Sequence, residues 1–179
     1  MLSLSTAILT LASAAIAAPS QPKLTFLFQT NFTIPNSAVI DFGAVPYGSN
    51  RSILGITGGV FEGPKMKGKT PNTKILALLQ LDIADTSISH ATGKVTVGTD
   101  WGLTDNRGVF APDAIFAFET DDKQTIFVTE KGRVPNMHML FETASEKYDW
   151  LNNAVAYATG GPNMDDNTII QLDVWQLGA

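Results

Sequence analysis

Ile56-Thr57-Gly58-Gly59-Val60-Phe61-Glu62-Gly63-Pro64 decides how this chain is read. Adjacent glycines beside bulky apolar residues, followed by Gly-Pro, let a strand bend sharply and let another backbone approach closely. The glycines do not form a phosphate loop, since no Gly-Lys-Ser/Thr opens a helix behind them. Gly68-Lys69-Thr70 imitates the end of such a loop, but Pro64 and the strand context argue against a strand-to-helix cradle.

Outward from this segment the reading is mostly strand. Leu24 to Phe32 alternates in part and is rich in aromatics, the pattern of a half-buried strand. Pro46 to Asn50 is turn chemistry, and Arg51 to Ile56 leads into the glycine bend. Ala114–Thr120 and Thr125–Thr129 flank Asp121-Asp122-Lys123 as a hairpin. Ala154–Thr159 and Thr168–Leu177 flank Gly160-Gly161-Pro162-Asn163 as another. A short helical turn is expected within 139–148. Many short strands with regular turns predict an all-β fold, closed as a barrel or stacked as a sandwich.

The chain has 179 residues, a net charge of −5 and no cysteine. Met1 to Ala17 holds an apolar stretch ending in Ala15-Ile16-Ala17, a small-x-small cleavage pattern, and is expected to be a secretory signal peptide. No Lys or Arg precedes Lys23, so a buried N-terminal helix is the alternative. The run is too short and too rich in Ser and Thr for a stable membrane span. The remaining residues, 18–179, suffice for one domain with its own core. Without cysteine, that core must hold a secreted domain unaided. Asn31-Phe32-Thr33 and Asn50-Arg51-Ser52 are glycosylation sequons, and Asn50, in a turn, is the better acceptor. Basic residues are scattered, so no nucleic-acid face is expected.

Thr70 to Thr92 breaks the rhythm. Its run Ile75 to Ile83 is strongly apolar and lies between Gly68-Lys69 and Gly93-Lys94. We read 70–92 as an insertion: a lid, an extra edge element, or a translated intron. This run, or an edge strand, is a candidate contact for a homodimer.

Several chemistries are excluded. There is no thiol, and the two histidines, His90 and His138, cannot build a three-histidine zinc site. Asp165-Asp166-Asn167 lacks the glycine and distal Glu of a calcium loop. No metal or cofactor is therefore expected. Carboxylates, a few arginines, amides and aromatics remain, and these can move protons. A carboxyl in a low-dielectric interior has its pKa raised toward neutrality. Asp100 is the leading acid/base candidate, against the alternative of a turn cap or a partner for Arg51. Glu62 and Asp113 are further candidates, against surface and turn roles. Arg51 would steady an oxyanion, or else bridge strands. Phe61, Trp101, Phe116, Tyr148 and Trp150 are candidate walls for a flat apolar ligand, against plain core packing. Asn152 would orient a carbonyl, or else satisfy a loop.

The motifs taken together resemble one family. Gly48 and Arg51, the run from Ile56 to Gly68, Asp100-Trp101, Asp113, Thr120-Asp121-Asp122 and Tyr148-Asp149-Trp150-Leu151-Asn152 occur in the order of the DUF3237 proteins, also called UPF0311. Lys123 stands where the family's hairpin has glycine, so that turn is expected to differ in type. The resemblance implies a single antiparallel β-barrel of calycin or lipocalin-like shape over about residues 22–177. Some fungal relatives are associated with secondary metabolism as non-redox cyclases of polyketide intermediates. The expected function is therefore a secreted small-molecule-binding barrel, working as a cofactor-free cyclase or isomerase on an apolar or aromatic metabolite. A non-catalytic carrier and a structural protein are the alternatives.

Overall fold

A computed structural model describes residues 20–46, 49–64 and 91–178. The expected signal peptide, the basic cluster Lys65, Lys67 and Lys69, His90 and nearly all of the 70–92 insertion lie outside the described residues. Eleven strands are present among the described residues: β1 (Leu24–Thr33), β2 (Val39–Val45), β3 (Ser49–Ile56), β4 (Gly58–Gly63), β5 (Ala91–Thr104), β6 (Phe110–Ala111), β7 (Asp113–Thr120), β8 (Thr125–Arg133), β9 (Asn136–Glu142), β10 (Val155–Pro162) and β11 (Ile169–Leu177). Eight of them close an antiparallel barrel in the order β1-β4-β5-β7-β8-β9-β10-β11, with β11 returning to β1.

β3 and β4 are one bent run that pairs with β5 along its length, Ile56 opposite Gly98 and Val60 opposite Lys94. The bend falls at the paired glycines. Gly59 has φ +148°, and a Cβ there would lie 2.0 Å from the Asn31 carbonyl oxygen of β1. The glycine is thus needed twice, for its conformation and for the close approach. β1 breaks at the matching level, through Pro35 and the 3-10 turn Asn36–Ala38, and continues as β2 on β3. The result is a long bent hairpin. Its lower half is barrel wall, and its upper half projects as a flap made of β2, β3, the end of β5 and β6.

Inward positions alternate along each strand: Met137, Met139 and Phe141 on β9, or Ala114, Phe116, Phe118 and Thr120 on β7, are buried while their neighbours are not. Phe28, Phe61, Phe118 and Phe141 meet in the interior, with Phe61 stacked on Phe118 at 4.3 Å between centroids. The expected helical turn is displaced: residues through Glu142 complete β9, and a 3-10 helix follows at Glu146–Asn153. Gly160-Gly161-Pro162 is likewise strand, not turn, and the reversal is built instead by Asn163, whose Oδ1 accepts from the Asp165 and Asp166 amides. The β7–β8 turn keeps the shape a glycine would give, with Lys123 itself at φ 64°. No helix among the described residues is long and apolar enough to cross a membrane.

Candidate active site

Asp100 on β5 pairs with Ala114 on β7, which pairs with Glu130 on β8. Residues directly opposite in antiparallel strands share a face, so all three point into the barrel. The two acids stand two strand spacings apart, about 10 Å between backbones, with Ala114 on the strand between them. Asp100 is 6% exposed and Glu130 5%. They are the only carboxylates buried among the described residues, where Thr30 and Thr120 are the other buried polar side chains.

Their environments differ. The Asp113 backbone N–H donates to Asp100 Oδ1 at 2.9 Å. Burial pushes Asp100 up to about 6, opposed by that hydrogen bond and by the charge of Arg51, with the charge of Asp113 adding to the rise. Glu130 makes no hydrogen bond or ion pair with a described residue. Burial pushes its carboxyl up to about 8, and the Asp100 charge adds to the rise. Near pH 7 the pair therefore holds one proton, on Glu130, beside an ionised Asp100. Such a split separates an acid from a base.

The other residues singled out in the sequence take varied positions. Arg51 Nη1 donates to the Trp101 carbonyl oxygen at 2.6 Å. Trp101 follows the inward Asp100, so it faces outward and is 51% exposed. Asp113 also points outward and pairs with Lys131 at 3.0 Å, while its amide serves Asp100. Glu62 alternates with buried Phe61 and lies half-buried on the outer side of β4. Phe61 and Phe116 are core, the latter edge-on to Phe32 at 4.8 Å. Tyr148 is buried and donates its hydroxyl to Asp122 Oδ1 at 3.0 Å, and Asp122 also pairs with Lys147. Trp150 packs half-buried against the core. Asn152 ties the loop before the 3-10 helix, accepting from the Thr143 amide and donating to the Thr143 carbonyl. The barrel thus brings Asp100 near Arg51 and the Asp113 backbone, and keeps Tyr148, Trp150 and Asn152 apart from them.

Glu130 escaped the sequence reading. Its signal was there: Ile126 and Val128 set the inward parity of β8, and Glu130 continues it by two. A shallow polar depression on the outer wall, between β1, β10 and β11, contains neither acid. Its most prominent polar groups, Gln29 and Asp173, already bond each other at 3.0 Å. Among the described residues no three His, Cys, Asp or Glu converge on a point.

Comparison with known proteins fits this barrel. The chain is 32% identical over 159 residues to the "Hydroalkoxylation enzyme phnH" of Penicillium herquei, covering 89% of this chain and 86% of that one. The crystal structure of an enzyme from the same fungus superposes with a TM-score of 0.65 at 28% identity, covering 90% of this chain and 98% of that chain. A beta-barrel like protein from Acinetobacter baumannii shares the fold with a TM-score of 0.67 at 23% identity, over 90% of this chain and 99% of that chain. The family model for DUF3237, proteins of unknown function, matches residues 22–137, and the chain belongs to that family.

Proposed function

We propose that this protein is an acid–base enzyme that closes a ring in a small metabolite by adding a hydroxyl group across an activated carbon–carbon double bond. The observation that carries the reading is the placement of Asp100 and Glu130 on either side of Ala114, both buried in the barrel, where burial raises both carboxyls and raises Glu130 further. The name of the Penicillium relative supports the reaction class.

The step is redox-neutral. Asp100 takes the hydroxyl proton, and the oxygen forms a C–O bond to one alkene carbon. The π pair takes the Glu130 proton and forms a C–H bond at the other carbon. Asp100 is then protonated and Glu130 ionised, and transfer of one proton between these neighbours restores the pair. The Arg51 charge helps keep Asp100 ionised. General acid and base groups each contribute about 10²–10⁴-fold.

The test is turnover of a hydroxyl-bearing alkene by wild type, Asp100→Asn and Glu130→Gln. Each variant is expected to lose about two orders of magnitude or more in rate while still binding ligand. Binding without turnover in the wild type would make the protein a carrier. The pH profile should be a bell: activity falls below about pH 6 as Asp100 gains a proton, and above about pH 8 as Glu130 loses one. A rate independent of pH across that range contradicts the pair.

A secretory route is part of the proposal, resting on the leader expected over Met1–Ala17. On that route the exposed Asn50 is the glycan acceptor. Asn31 sits half-buried in β1, its side-chain oxygen enclosed and without a partner. In protein secreted from a eukaryotic host, Asn50→Gln should lower the mass by one glycan and Asn31→Gln should not.

A further inference from the structure

Phe110 was not among the residues the sequence singled out. It lies on β6, which pairs with the end of β5, Thr104 opposite Phe110. The Val134 amide donates to the Phe110 carbonyl at 2.9 Å and fixes this short strand to the β8–β9 turn. A Cβ on Gly102 would come within 2.1 Å of the Phe110 ring, so the half-buried ring occupies the place a side chain at 102 would take. Gly102 is two residues beyond Asp100 on the same strand, and alternate residues share a face. The ring is therefore laid on the acid's own side of the flap. Leu54 stands opposite Asp100 on the next strand.

Charge is equally one-sided. No buried Lys, Arg or His accompanies the two acids among the described residues. Arg51 directs Nη1 at the Trp101 backbone carbonyl. The Arg51 charge reaches Asp100 from the opposite face of the sheet, so an anionic ligand in the interior would meet the Asp100 carboxylate with no buried cation beside it, and like charges repel.

From these two observations we infer that Phe110 and the buried Asp100 carboxylate select the ligand: an uncharged planar ring compound bearing a hydroxyl, its ring against Phe110 and its hydroxyl toward Asp100, with carboxylated and phosphorylated analogues rejected. The inference rests on the acid–base reading for where the ligand sits. It does not depend on turnover.

Calorimetric titration at pH 7 with 2-naphthol and 2-naphthoate tests it. The probes share a ring system and differ in charge. The wild type should bind 2-naphthol about 100-fold more tightly than 2-naphthoate. Phe110→Leu should weaken 2-naphthol about tenfold, and Phe110→Tyr should leave it near wild type, each variant melting as a folded protein. Asp100→Asn, which removes the carboxylate ionised at pH 7, should narrow the gap between the probes, and Glu130→Gln should leave it unchanged. Equal affinity for both probes, no binding of either, or full affinity in a folded Phe110→Leu would overturn the inference. 2-Naphthol has no alkene outside its ring, so these outcomes are read apart from catalysis. Loss of charge selection with Asp100-dependent turnover intact removes only this inference; retained selection with no turnover removes only the enzyme.

Discussion

Burying a carboxyl without a partner has a thermodynamic signature as well as a catalytic one. The folded chain holds the Glu130 proton up to about pH 8, whereas the unfolded chain releases it near the ordinary value of 4.5. Between those values the folded state binds more protons, so this group makes stability fall as pH rises, by about 1.4 kcal/mol per pH unit. Below the unfolded value both states are protonated and the group contributes no penalty. Glu130→Gln should therefore raise the melting temperature more at pH 9 than at pH 5, and thermal melts at the two values check it. An equal shift at both would mean that the Glu130 carboxyl is not desolvated. At this scale the sequence was half legible. Asp100 stood out beside Trp101, and strand alternation already required that one of the two face away from the interior. Glu130 was missed because the strand was ended at Thr129, where a β-branched residue is followed by a charged stretch. The rule that charge marks a strand's end fails when a charged residue falls on the inward parity.

Elements show the same division between local chemistry and tertiary demand. The glycine bend was readable because its requirement is local: two residues without Cβ at one kink. Gly59→Ala should destabilise the barrel by several kcal/mol, about the cost of strained backbone plus a backbone clash, seen as a lowered midpoint in urea. A wild-type midpoint would mean that β1 and β4 can separate there. The helical turn expected within 139–148 begins at Glu146, and the residues before it, unassigned from the sequence alone, become β9 by pairing with β8 and β10. β2 had no signal at all, since its residues are mostly exposed and show no alternation. The β7–β8 turn shows tertiary demand overriding a residue's preference. Lys123 holds a left-handed conformation for which glycine is suited, between a Thr120 buried under the hairpin and the pair formed with Glu119 at 2.9 Å. Lys123→Gly should stabilise by about 1 kcal/mol, since the conformational strain removed exceeds an exposed ion pair. Urea denaturation measures it, and a destabilised variant would show that the ion pair matters more than the strain.

Across the whole molecule the barrel is polar in its organisation. The β4–β5 connection, the β7–β8 turn and the 3-10 helix Glu146–Asn153 all leave from one end. That end is packed by Phe28, Phe61, Phe118 and Phe141, with Tyr148 and Leu151 buried behind them. The flap, the β8–β9 turn and the β10–β11 turn leave from the other end, toward which Asp100 lies on β5. This polarity bears on the segment between Pro64 and Ala91. Gly63 pairs with Ala91, so the segment joins two antiparallel neighbours at the phenylalanine-packed end. A lid over the two acids would have to span the length of the barrel from there, whereas an addition at the packed end leaves the acids and Phe110 untouched. Replacing residues 65–90 with a short hairpin turn should therefore preserve the β-sheet circular dichroism, the affinity for 2-naphthol and both limbs of the pH profile. Shortening a connection of this size between paired strands also adds about 1 kcal/mol of stability through closure entropy. Loss of 2-naphthol binding in a shortened protein that still folds would show that the segment reaches the acids after all.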